Sequence, residues 1–128
     1  MTNTDITTDR LTDLVDAHLG AYCDPDAARR AEAVAATWTA DGVLQDPPFE
    51  AEGHDGIAGA TDLVLGHYAG HRFERTTDVD VHHGTGRYGW ALVAPSGETV
   101  LTGTDVVTFR EDRIARIVGF FGDLPARG

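Results

Sequence analysis

Apolar residues recur along the first part of the chain with the spacing of a helix. Leu11, Leu14, Val15, His18, Leu19 and Tyr22 fall at i, i+3, i+4, i+7, i+8 and i+11, a stripe that predicts an amphipathic helix over residues 9–23. His18 and Tyr22 lie on this apolar stripe and are expected to face inward. Asp24-Pro25-Asp26 ends the helix, because Pro25 cannot continue it. Asp26 is placed to cap a second helix over 27–38, with Ala31, Val34, Ala35 and Trp38 on its inner side. Asp41-Gly42 predicts a turn into a short strand, 43–46, which Pro47 and Pro48 stop because neither has an N–H to donate. A third helix follows Gly53-His54-Asp55, with Ile57, Ala60, Leu63, Val64, His67 and Tyr68 on one side and His54 as its cap.

From His71 onward the pattern alternates with period two. Strands are predicted over 72–83, 87–94, 98–110 and 113–121, with hairpin turns at Pro95-Ser96-Gly97 and Glu111-Asp112. Helices first and strands after predict an α+β fold. Three N-terminal helices pack on a curved, mostly antiparallel sheet, with a pocket between helix and sheet.

The length, 128 residues, suits one domain, 1–128. A 41% hydrophobic and 24% charged chain has globular composition, which excludes a disordered tail or a collagen-like fibre. No run approaches the ~18 apolar residues of a membrane span. Residues 1–9 are polar and acidic, without the pattern of a signal peptide, so a cytoplasmic location is expected. Ten Arg, no Lys and 21 acidic residues give a net charge of −11. That field repels phosphate backbones and anionic lipid, so neither nucleic acid nor membrane is an expected partner. Cys23 is alone, which excludes an intrachain disulfide and a CxxC metal ribbon.

The predicted strand 98–110 carries the most informative residue. Leu101, Gly103, Asp105, Val107 and Phe109 share one face; Val100, Thr102, Thr104, Val106 and Thr108 share the other. The more apolar face belongs inside and takes a carboxyl group with it. A buried carboxylate is protonated, paired, or lining a cavity. Asp105 is therefore either a structural acid paired with Arg72, Arg75, Arg87 or a His, or a working acid. Asp46 shares a face with Leu44, and Pro47 after it holds its backbone extended. It suits a general base, and equally an Asx-turn that bonds nearby amides. If both acids line one apolar pocket, repulsion and desolvation separate their titrations, one neutral donor and one base. His18 and Tyr22 on the covering helix are the second-donor candidates. Trp38, Phe49, Trp90 and His54 are the substrate-binding candidates.

No metal is expected. His82 and His83 are adjacent on a predicted strand and point to opposite faces, and Ala69-Gly70 breaks the helix that would align His67 with His71. No G-x-G-x-x-G follows a strand, so no dinucleotide site is expected either.

Three segments together resemble the nuclear transport factor 2-like superfamily, the cone-shaped α+β barrel that includes ketosteroid isomerase and the SnoaL-like polyketide cyclases. They are Trp38-Thr39-Ala40-Asp41-Gly42-Val43-Leu44-Gln45-Asp46-Pro47, Glu52-Gly53-His54-Asp55-Gly56-Ile57 and Gly103-Thr104-Asp105-Val106-Val107-Thr108-Phe109. The closing run 113–121 is similar to the family's last strand. In ketosteroid isomerase the base is the Asp of an Asp-Pro pair ending the first strand, which matches Asp46. Its buried, protonated oxyanion-hole Asp precedes a Val, which matches Asp105; that enzyme is the standard example of a carboxylic acid kept neutral by an apolar site. The family's catalytic tyrosine falls near His18, one turn before Tyr22, a departure that counts against steroid isomerisation itself. Limonene epoxide hydrolase has an Asp where this chain has Gly119, which disfavours epoxide hydrolysis.

The resemblance implies a cofactor-free isomerase, aldol-type cyclase or dehydratase acting on an apolar small molecule. It also implies a homodimer through the outer sheet face at Val100, Thr102, Thr104, Val106 and Thr108. The alternative is a binding or dimerisation module of the same fold. An open apolar pocket of roughly a few hundred Å³ with both acids on its wall would favour the enzyme.

Overall fold

The computed structural model describes residues 2–128, with side chains from Thr8 onward; the polar character read in residues 1–7 lies outside the described side chains. The first helix, α1 (Thr2–Ala21), begins earlier than the stripe predicts. All six stripe residues, Leu11 to Tyr22, are buried beneath it. Asp26 caps α2 (Ala27–Thr37), its carboxylate accepting from the backbone N–H of Ala28 at 2.9 Å and of Arg29 at 3.2 Å. The inner side of α2 is rotated from the expected one: Val34 is buried with Arg30 and Thr37, while Ala31 and Ala35 are exposed. Arg30 tolerates this because its guanidinium donates to the Asp24 carbonyl at 2.8 Å and pairs with Asp62 of the third helix.

Trp38 opens β1 (Trp38–Asp46), which is longer than predicted because the chain continues through Asp41-Gly42 as an irregularity in the ladder rather than a turn. Pro47 and Pro48 do leave the ladder. They also form a two-residue hairpin loop into an unpredicted strand, β2 (Phe49–Glu52), with Asp46 opposite Phe49. The third helix, α3 (Gly53–His67), buries Ile57, Ala60 and Thr61 and leaves Leu63 and His67 in water. His54 does not cap it. Its Nε2 instead contacts the Trp38 carbonyl oxygen at 2.9 Å.

The predicted strand 72–83 is two strands, β3 (Arg72–Arg75) and β4 (Asp80–His82). Between them the chain detours: the Thr77 hydroxyl accepts from the Gly89 N–H at 2.9 Å and Val79 drops into the core. Both pair with β5 (Thr85–Val93), followed by β6 (Thr99–Arg110) and β7 (Arg113–Phe121). The sheet order is β2-β1-β7-β6-β5-β3, with β1–β7 the parallel pair and the rest antiparallel. It is a curved sheet that stays open at its edges instead of closing into a barrel, with the helices on its concave side. Val100, Thr102, Thr104, Val106 and Thr108 all lie exposed on the outer face. No helix among the described residues is long and apolar enough to cross a membrane.

Candidate active site

Four strands contribute one inward residue each to a row across the sheet. Tyr88 of β5 pairs with Asp105 of β6, and Asp105 pairs with Gly119 of β7. The parallel register of Gln45 with Val118 sets the next residues, Asp46 and Gly119, side by side. Gly119 leaves room that is used: a Cβ there would overlap Asp46 Oδ1 and stand 3.0 Å from Asp105 Oδ1. Two carboxyl groups distant in sequence therefore share the space above one glycine.

Asp105 is held from behind. Its Oδ2 accepts from the Tyr88 hydroxyl at 2.6 Å and its Oδ1 from the Trp90 indole N–H at 3.0 Å. Gly103 admits the indole, since a Cβ at that position would collide with the Trp90 ring. The ion pair weighed for Asp105 does not form: Arg72, Arg75 and Arg87 pair with Glu74, Asp16 and Asp80. Burial dominates and raises the Asp105 carboxyl to about 7, with Asp46 pushing it further up and the Tyr88 and Trp90 hydrogen bonds pulling it down. Asp46 is raised to about 6 by burial alone. No backbone amide among the described residues donates to it, so the Asx-turn is not formed.

Both acids open on a cavity of about 120 Å³ between the helices and the sheet. It is smaller than expected because aromatic rings crowd it: Tyr22 and Phe73 centroids are 4.9 Å apart, Phe73 and Trp90 5.5 Å. His18, Tyr22, Phe49 and Trp90 share the wall with Asp46 and Asp105; Trp38 and His54 do not. Trp38 is core, its ring edge-on to His18 at 5.5 Å. His18 is held neutral, burial lowering its pKa to about 3. Burial first, then the charges of Asp46 and Asp105, raise the Tyr22 phenol well above its ordinary range, so it stays a hydroxyl donor. No hydrogen bond among the described residues occupies that hydroxyl.

A family model for the SnoaL-like domain matches residues 19–117. The chain belongs to the SnoaL-like family. The match takes in Tyr22, Asp46 and Asp105, while His18 and Gly119 fall just outside it. Among solved structures, this SnoaL-like protein is similar to a candidate isomerase of the SnoaL-like family from Agrobacterium tumefaciens, at 31% identity over 90% of this chain and 99% of that one, TM-score 0.84. It shares its fold with a candidate polyketide cyclase from Sinorhizobium meliloti (19% identity, 84% and 94% covered, TM-score 0.67). It shares it also with a candidate ketosteroid isomerase from Kribbella flavida (15%, 94% and 84%, 0.66). No curated protein matches.

Sequence reasoning missed Tyr88 and the spacing role of Gly119 in this SnoaL-like site. Alternation along 87–94 does put Tyr88 on the same face as Trp90, which was the available signal. Among the described residues no group of three or more His, Cys, Asp or Glu side chains is placed to hold a metal ion. His82 and His83 do not point apart as expected: β4 ends at His82, His83 turns to φ 50°, and the two Nδ1 atoms meet at 2.9 Å.

Proposed function

We propose that this protein is a small enzyme, working without a cofactor, that removes a proton next to a carbonyl group of an uncharged, apolar small molecule. The observation that carries the reading is the pair of acids over Gly119, Asp105 buried and Asp46 half-buried, opening on an apolar-walled cavity. No arginine among the described residues lines that cavity, so an anionic substrate would meet two carboxyl groups and no counter-charge. Asp46, the more easily ionised of the two, is the base. Asp105 keeps its proton longer and donates to the oxygen that becomes the enolate; the Tyr22 hydroxyl is the second donor. Donors aimed at a developing oxyanion in a dry site are usually the largest catalytic contribution. Return of the proton elsewhere gives an isomerase, attack of the enolate on an internal carbonyl an aldol-type cyclase, and loss of a β-hydroxyl a dehydratase.

A panel of enolisable ketones assayed across pH tests this. Turnover needs Asp46 ionised and Asp105 protonated, so kcat/KM rises through about pH 6 and falls through about pH 7. Asp46→Asn is expected to lower turnover by about 10³-fold without changing the cavity. Undiminished turnover in that variant overturns the assignment. A ketone bound equally by wild type and Asp46→Asn, and recovered unchanged, would show the alternative, a binding module on the same fold.

A further inference from the structure

We propose that Tyr88 is a positioning residue: together with Trp90 it grips both oxygens of Asp105, so that this carboxyl offers its remaining hydrogen-bonding edge only to the gap over Gly119. Tyr88 does not line the cavity and is 2% exposed, so it acts through Asp105 and not on a substrate. The grip follows from strand geometry. Tyr88 and Trp90 are two apart on β5 and project from the same face, and their O–H and N–H reach Oδ2 and Oδ1 at 2.6 and 3.0 Å. A carboxyl torsion is soft, and one bond would leave it free to swing; two opposed donors fix it. Both donors also favour the ionised form, against burial and against Asp46.

The groups facing Asp105 are few. Strand β5 supplies Tyr88 and Trp90, β1 supplies Asp46, β7 supplies Gly119 with no side chain, and the turn that follows α1 supplies Tyr22, with the neutral His18 of α1 beside it. Among these only Tyr88 and Trp90 hydrogen-bond it. The kinetic consequence rests on the acid–base reading above; the titration itself does not.

The test is Tyr88→Phe in the intact protein, with carbon-13 NMR of labelled aspartate carboxyls and the Asp105 resonance assigned by its loss in Asp105→Asn. Losing one donor is expected to move the Asp105 titration up by about one pH unit. With a substrate in hand, the alkaline limb of kcat/KM moves up with it and kcat falls about tenfold, with KM nearly constant. Trp90→Phe removes the other donor and is expected to shift the same resonance in the same direction. It serves alone if Tyr88→Phe does not fold. An Asp105 titration unmoved in a folded variant overturns the proposal, as does a limb that stays put while only the melting temperature drops. Absence of turnover in the wild type would defeat the acid–base reading and leave the NMR result standing.

Discussion

A carboxyl group against tryptophan, phenylalanine and leucine is an expensive arrangement, and the residues around it show how the cost is met. Among the described residues Asp105 has two donors and Asp46 none, so burial acts on Asp46 unopposed and on Asp105 against hydrogen bonds. Tyr22 and Tyr68 both bring a hydroxyl to the wall, and of the two Tyr22 is the buried one, close enough to Asp46 and Asp105 to feel their charges. Its ring packs edge-on to His18 at 5.1 Å and against Phe73, contacts that a phenylalanine would retain. Tyr22→Phe is therefore expected to fold normally. It should lower kcat by about 10- to 100-fold and change KM little, because a donor to the oxyanion matters more in the transition state than in the ground state. Steady-state kinetics beside a thermal melt checks this. A raised KM with unchanged kcat would make Tyr22 part of the wall and nothing more.

At the level of elements, the acid pair exists because β7 runs between β1 and β6 and has a glycine at the crossing point. Gly119→Ala puts a methyl group where Asp46 Oδ1 now sits, forcing that carboxyl outward. The expected outcome is a sheet that still forms, since Ala is tolerated in a strand. The Asp46 titration should move from about 6 toward the ordinary carboxylate range, and turnover should fall by about tenfold or more. The same NMR titration reads it, and an unmoved Asp46 would show that the two acids do not depend on the gap. The example also marks what sequence pattern reveals. Alternation along β6 was enough to turn Asp105 inward, and the bounds of β7 coincide with the predicted 113–121. Strand pairing is non-local, so the register that aligns Tyr88, Asp105, Gly119 and Asp46 has no signature in any one segment. The same limit hid β2, whose hairpin partner is fixed across Pro47-Pro48, and the break at 76–79, which depends on a Thr77 contact to Gly89.

For the molecule as a whole, a site of this kind makes stability depend on pH in a direction opposite to that of ion-paired acids. Asp46 and Asp105 titrate near about 6 and about 7 when folded, against about 4 when unfolded. The folded state thus binds more protons between about pH 4 and 7, and stability falls as pH rises through that window and levels off above it. His18 works the other way. Its pKa is about 3 when folded against about 6.5 unfolded, so stability is lost as pH falls below 6.5. Between pH 4 and 6 two acids oppose one histidine, and the acids win by about one proton, so stability falls on balance as pH rises. The net charge of −11 adds self-repulsion that also eases on acidification. The melting temperature is accordingly expected to be about 5 °C or more higher at pH 5 than at pH 8. Asp105→Asn removes the buried one of the two acids while keeping an oxygen for one of the two donors, so its melting curve should vary distinctly less with pH. A variant as pH-sensitive as the wild type would mean that Asp105 contributes nothing to the trend, and that the carboxyl beneath Tyr88 ionises as readily as one in water.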